Sequence, residues 1–231
     1  MSTQDQHPVL VSGGSSGLGA ALVGVLHDAG IPVVVLDKQA PTGPATDFRL
    51  VDVSDSAATE EAVRALAGPT GGLAGVVTAA GMDHCGPITG LSTMDWEQVV
   101  RVNLMGTAAV VRAAVPYLER CHGRVVTVAS TLGLRPAGDA TAYCAAKFGV
   151  VGFTRALAME LAGRVGVTLV IPGGMRTAFF DDRDEQYRPA DRMMLNPPEN
   201  VARSIAHVLA QPVGCEIREL VICHELEPSW P

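Results

Sequence analysis

Within the stretch "DATAYCAAKFGVV" (139–151), Tyr143 precedes Lys147 by four residues. On a helix, positions i and i+4 share a face, so the phenol and the ammonium group point the same way. A phenol with an ordinary pKa near 10 is a poor acid–base catalyst at neutral pH. A neighbouring ammonium favours the phenolate and lowers that value, which predicts a tyrosine able to give or take a proton near pH 7. Ser130 lies upstream, at the end of the apolar run 124–130, where its hydroxyl can face the phenol and hold a substrate oxygen.

A second group of residues suits a phosphate. The first apolar run leads into "SGGSSGLGAAL", which spaces Gly13, Gly17 and Gly19 across a strand-to-helix turn. Glycines there let the backbone turn tightly and approach a pyrophosphate, while the helix N-terminus offers free N–H groups and a positive dipole end. Ser15, Ser16 and Leu18 complete the turn, which holds no basic residue. Asp37 ends the next apolar run, roughly 20 residues on, where a ribose-binding carboxylate belongs. Its charge would accept hydrogen bonds from ribose hydroxyls and repel the additional phosphate of NADP. The adjacent Lys38 can bind a phosphate instead. The balance predicts NAD as the preferred cofactor, with NADP possible.

The elements that must position these groups alternate along the chain. Apolar runs at 8–12, 32–37, 48–53, 73–78, 124–130, 165–171 and 218–223 read as strands buried on both faces. Helical patterns lie between them at 18–29, 57–67, 94–120, 141–162 and 198–210. Ser54 is the expected N-cap of the second helix, and Ser92 or Thr93 that of the third. The expectation is an α/β fold: a Rossmann-like, doubly wound parallel sheet of about seven strands, in one domain over 1–231. The segment 172–197 is long, charged and rich in Pro and Gly, and is expected to form a substrate lid. Leu132, Leu134, Met175, Phe179 and Phe180 suggest an apolar substrate wall, with His84 at its mouth. Arg135, Arg176, Arg183, Arg188 and Arg192 leave room for an anionic group.

Composition narrows the class. A net charge of −7 and a pI of about 5.3 favour neither nucleic acid nor an anionic membrane as partner. Hydrophobic residues make up 48% and mean hydropathy is +0.25, as in a globular chain with a large core. Aromatics are only 4%, so small aliphatic residues must fill that core. No apolar run reads as long enough to span a membrane, and the first ten residues do not read as a signal peptide. Five cysteines without a CxxC pair point to a reducing compartment, hence the cytoplasm. His84 and Cys85 lack partners at metal-binding spacing, so no metal is expected.

Taken together, the chain resembles the short-chain dehydrogenase/reductase family from Val9 to about Val221. The resemblance rests on the glycine turn, "LVDVSD", "TAAG" (78–81), "RVNLMG", "VTVAS", "YCAAK" and "PGGMRT" (172–177), in that order. It implies an NAD(P)-dependent oxidoreductase acting on a secondary alcohol or its ketone. It implies that Tyr143 is the general acid–base, that Lys147 also binds the nicotinamide ribose, and that Ser130 orients the substrate oxygen. Asn103 would hold a water that links Lys147 to solvent. Asp52 and Val53 would flank the adenine, and Ala79, Ala80 and Gly81 would lie by the adenosine ribose. Pro172, Gly173 and Thr177 would border the nicotinamide. The resemblance also implies a homodimer or homotetramer, with helices 94–120 and 141–162 pairing through Ala108, Ala109, Ala113 and Ala156. Two departures stand out. Thr78 replaces the family's usual Asn, and "ELVICHELEPSWP" replaces its usual C-terminal end. Two other readings compete: a nucleotide-sugar epimerase or dehydratase, which shares YxxxK, and a catalytically silent nucleotide-binding regulator.

Overall fold

The computed structural model describes residues 7–189, 191–227 and 229–230. The first six residues, read above for a leader, and Ala190 of the expected lid lie outside the described residues, as does the side chain of Arg192. Seven strands form one parallel sheet in the order β3-β2-β1-β4-β5-β6-β7. They are β1 (Val9–Ser12), β2 (Val33–Asp37), β3 (Asp47–Leu50), β4 (Gly75–Thr78), β5 (Arg124–Val128), β6 (Gly166–Pro172) and β7 (Glu219–Ile222). Helices α1 (Gly17–Asp28), α2 (Ser56–Ala67), α3 (Thr93–Val100), α4 (Thr107–Leu118), α5 (Thr141–Glu160) and α6 (Pro198–Leu209) connect them. The fold is therefore the doubly wound, Rossmann-like single domain that the alternation predicts.

Strand periodicity explains the two cores. Leu10, Val34, Leu36, Val76 and Val125 face α2, α4 and α5, where they meet Val63, Leu66, Val110 and Leu157. The intervening residues Val9, Val11, Val33, Val35 and Val77 face α1 and α6, against Leu22, Leu26, Val201 and Ile205. Residues apolar on both faces thus produce a sheet covered on both faces. The edge strands differ. All four residues of β3 are exposed, so the reading of 48–53 as doubly buried fails at the sheet margin, which no further strand covers among the described residues.

Three local expectations need correction. Asp55, not Ser54, caps α2, because its carboxylate accepts the Ala58 N–H at 3.0 Å. The third helix is not one uniform α-helix: a π-helical stretch, Arg101–Gly106, joins α3 to α4. The segment Thr93–Cys121 is in fact long and apolar enough to cross a membrane by length and composition. Half of its apolar window is buried inside the protein, where Val110, Val111, Ala114 and Leu118 belong to the core. Its hydropathy is accounted for by packing. The third helix is capped as expected, since Ser92 Oγ accepts the Asp95 N–H at 3.0 Å and donates to the Asp95 carboxylate at 2.7 Å.

Because the chain reverses its winding between β1 and β4, a crevice opens beyond the carboxyl ends of the strands. Ser12, Asp37, Thr78, Val128 and Pro172 are the last residues of their strands. The glycine turn, Asp37, "TAAG", Ser130 and "PGGMRT" therefore all open onto one edge of the sheet.

Candidate active site

The glycine turn is built to exclude side chains. Gly13 and Gly17 adopt φ of +74° and +51°, a region that favours glycine. A Cβ on Gly13 would lie 2.6 Å from the Ala80 backbone, and one on Gly19 would lie 2.0 Å from the Gly13 carbonyl oxygen. The turn thus packs directly on Ala79–Ala80 and on itself, leaving the α1 N-terminus open beside it. Ser16, the N-cap of α1, makes no side-chain capping bond. Leu18 turns inward and is buried. Asp37 anchors the rim: its carboxylate accepts the Ser15 N–H at 2.9 Å and the Gln39 N–H at 3.1 Å. Lys38 beside it is exposed. Thr177 reaches across from the far rim, so a Cβ on Gly17 would meet its methyl at 3.4 Å. Val53 is buried where Gly106 lets the helix approach, and Asp52 turns its carboxylate onto the Ser54 N–H at 2.9 Å. A cradle with an uncapped helix N-terminus and a carboxylate fixed at its rim fits a nicotinamide dinucleotide.

The expected catalytic side chains converge at the other end of the crevice. Tyr143 and Lys147 are both buried in α5. A hydrogen bond from Ser130 lies at the phenol and favours its ionised form. Lys147 Nζ donates to the Val128 carbonyl at 2.9 Å and sits 5.5 Å from the centre of the Tyr143 ring. Asn103 donates from Nδ2 to Met82 O at 2.7 Å and to Val99 O at 2.8 Å. Its Oδ1 is buried without a partner among the described residues. A Cβ added to Gly81 would lie 2.9 Å from that oxygen and 3.9 Å from Lys147 Nζ, so Asn103 and Lys147 meet over Gly81. The π-helical stretch turns the Asn103 side chain back onto the Val99 carbonyl and the Met82 turn.

The electrostatics correct one expectation. Burial, the largest effect, raises the Tyr143 phenol above its ordinary value, and the charge of Asp83 adds to this. Ser130 and Arg183 pull it down by less. Lys147 is lowered by burial to about 8, with Asp83 opposing. The ammonium therefore does not bring the phenol toward neutrality in this arrangement, because Lys147 is committed to the Val128 carbonyl and burial disfavours both charges.

The substrate wall is smaller than expected. Leu132 and Phe179 pack with Tyr143, and the Phe179 ring centre lies 5.7 Å from that of Tyr143. Phe180 meets Phe179 edge-on at 5.4 Å. Leu134 and Met175 pack into other clusters, because Met175 is held by a bridge to Asn196 on the far side of the loop. His84 is exposed beside the mouth. Pro172 and Gly173 close the far end, where the C-terminal segment folds back: Glu227 accepts the Gly174 N–H at 3.0 Å, and Ser229 bonds Thr131 at 2.8 Å. Thr78 Oγ1 is buried without a partner among the described residues, so the hydroxyl does not take over the bracing that the usual Asn would give.

Sequence reasoning missed Asp83. Its carboxylate pairs with Arg183 of the lid segment at 2.8 Å, and the two side chains are 1% and 14% exposed. Its position just past "TAAG" was a usable signal, but a partner 100 residues away was not.

The fold and the convergent Tyr–Lys–Ser group define a nucleotide-dependent oxidoreductase. The chain belongs to the short-chain dehydrogenase family, whose profile matches residues 7–188. It is 34% identical over 217 residues to a subunit of (2S)-[(R)-hydroxy(phenyl)methyl]succinyl-CoA dehydrogenase from Thauera aromatica, covering 85% of this chain and 86% of that protein. It is 30% identical over 224 residues to an uncharacterised oxidoreductase of Staphylococcus aureus, covering 92% and 95%. Among solved structures, actinorhodin polyketide ketoreductase with NADPH matches with a TM-score of 0.84 at 29% identity, covering 98% of this chain and 99% of that one. An alcohol dehydrogenase from Thermococcus sibiricus with 5-hydroxy-NADP shares the fold, with a TM-score of 0.85 at 20% identity, covering 96% and 98%.

Proposed function

We propose that this protein moves a hydride between a nicotinamide cofactor and a secondary alcohol or ketone, with Tyr143 as the acid–base group. The observation that carries the reading is the buried Tyr143 phenol one helical turn from Lys147, whose Nζ lies 5.5 Å from the ring centre, at the open end of a glycine-lined crevice. The bound nicotinamide supplies the hydride donor or acceptor. Ser16, Gly17, Leu18 and Gly19 offer the phosphates backbone N–H groups at the α1 N-terminus, while Gly13 and Ser15 shape the turn, their own N–H groups being taken by Leu36 O and Asp37. Ser130 holds the substrate oxygen while Tyr143 Oη gives it a proton in reduction or takes one in oxidation. Asn103 and Lys147, meeting over Gly81, carry that proton onward through water. Residues 172–197 act as the lid, which excludes water from the reacting atoms.

NAD is the preferred cofactor in this reading, with NADP a weaker alternative. Support comes from Asp37, whose carboxylate is fixed by two backbone N–H groups at the ribose rim, while Lys38 points to solvent. Like charge against a ribose phosphate predicts about a ten- to hundred-fold preference. Dissociation constants for NADH and NADPH, read by fluorescence on wild type and Asp37→Ala, test it: the variant should narrow the gap. Tighter NADPH binding by wild type would reverse the assignment in favour of Lys38. The enzyme reading itself is tested by following nicotinamide absorbance against a panel of alcohols and ketones. We place the protein in the cytoplasm, as a homo-oligomer.

A further inference from the structure

We infer that Asp83 is the specificity-determining residue of this site, a buried carboxylate that takes a hydrogen-bond donor, a hydroxyl group, from the carbon beside the one that reacts. The inference rests on the oxidoreductase reading above and deepens it. Its starting point is that Tyr143 is closed off. Tyr143 as a whole is 8% exposed, and Phe179 of the lid packs on its ring. A substrate oxygen must reach that phenol, so Phe179 must leave its place when substrate enters.

Phe179 does not move alone. The Arg183 guanidinium lies 5.0 Å from the Phe179 ring centre and 4.6 Å from that of Phe180, and the two rings meet edge-on. The three side chains form one packed unit. Withdrawing Phe179 therefore draws Arg183 away from Asp83. Asp83 then keeps the Cys85 thiol as a donor, at 3.2 Å on Oδ2. Its other oxygen, Oδ1, is already buried without a partner among the described residues, as is Arg183 Nε. The pair is held by one leg of the Arg fork, and the second is unmade.

A buried carboxylate stripped of its cation is strongly unfavourable unless a donor replaces it. Asp83 is tied to the reacting group by contact: Arg183, which it pairs with at 2.8 Å, lies 5.0 Å from the Phe179 ring centre, and that ring lies 5.7 Å from Tyr143's. A substrate with a hydroxyl next to its carbinol or carbonyl carbon can lay one oxygen on Tyr143 and donate from the other to Asp83. A plain alcohol of the same skeleton leaves Asp83 bare. Arg183 thus holds the place of the substrate's hydroxyl, and Phe179 holds that of its carbon frame.

The experiment compares matched pairs on the full-length protein with its preferred cofactor: 2,3-butanediol against 2-butanol, and trans-1,2-cyclohexanediol against cyclohexanol, with the corresponding ketones in reverse. A hydrogen bond to a charged group predicts kcat/KM for each diol about tenfold or more above its partner. Asp83→Ala should bring each ratio to near one through the KM of the diols, and Asp83→Asn, which keeps the shape and an acceptor, should give an intermediate ratio. Arg183→Met should lower KM for both members of each pair alike and keep the ratio. A wild-type ratio at or below one, or a ratio unchanged in both Asp83 variants, overturns the anchor while leaving the oxidoreductase reading in place. Cofactor binding without turnover of any pair member or ketone overturns both.

Discussion

Tyr143 and Lys147 carry opposite consequences of one cause. Burial favours the neutral form of each, so the phenol keeps its proton to higher pH than usual while Lys147 loses its proton near 8. Oxidation of an alcohol requires the phenol to accept a proton, so its rate should climb from pH 7 to pH 10 as phenolate accumulates. Reduction of a ketone uses the protonated phenol and should hold level near neutrality, then fall above about 8 as Lys147 loses its charge. Rate profiles in both directions check the sign. A plateau in oxidation at or below pH 7 would show that the ammonium, rather than burial, governs the phenol once cofactor is bound. Tyr143→Phe separates chemistry from binding: turnover should drop more than about tenfold, because general acid–base catalysis typically contributes at least that much. Cofactor affinity should survive, since the phosphate contacts lie on other elements and the expected ribose contact is that of Lys147 rather than of the phenol. Retention of more than a tenth of the wild-type rate would remove Tyr143 from its role.

At the level of elements, the strand–helix alternation and the carboxyl-end positions of Asp37, Ser130 and the glycine turn were all readable, because both depend on local pattern. What local pattern does not hold was not readable. The π-helical stretch holds Asn103 where it bonds Met82, a residue 21 positions away, and nothing in "RVNLMG" distinguishes it from an ordinary helical run. Asp55 rather than Ser54 caps α2 because the helix begins at Ser56, which makes Asp55 the residue whose side chain reaches the Ala58 N–H. The glycines of α1 show how one element carries two kinds of constraint. A Cβ on Gly19 would collide with the Gly13 carbonyl, whereas one on Gly24 would meet nothing within 4 Å. Gly19→Ala should therefore distort the phosphate turn and weaken cofactor binding by more than about tenfold, or 1.4 kcal/mol. Gly24→Ala should leave binding alone and stabilise the protein by about 0.5–1 kcal/mol, since alanine loses less entropy in a helix. Cofactor titration and thermal unfolding of the two variants distinguish these outcomes; equal effects would mean that the turn is not held by that close contact.

At the scale of the whole molecule, the proposed self-association must use a face that the monomer leaves exposed. Ala109 and Ala113, expected to point outward, are buried at 1% and 6% and belong to the monomer's own packing. The outward face of α5 is instead formed by Phe148, Gly152, Arg155, Ala156 and Met159, whose spacing places them on one stripe. Phe148 is 43% and Met159 is 81% exposed, and no described side chain lies within 4 Å of a Cβ built on Gly152. Met105, Arg112 and Pro116 are also exposed along the neighbouring helical segment. Large apolar side chains flanking a bare glycine suit close helix approach, and a stable two-fold interface needs on the order of 800 Å² from each partner. Two helices of this length can supply that area. The protein should therefore run as a dimer or tetramer in light scattering at micromolar concentration. Phe148→Lys together with Met159→Lys should dissociate it without unfolding, because both side chains face away from the core and a buried like-charge cluster across a two-fold axis opposes association. A wild-type monomer would refute the assembly. An oligomer undisturbed by the double variant would move the interface to another face, such as the exposed β7 margin with Glu219 and Val221.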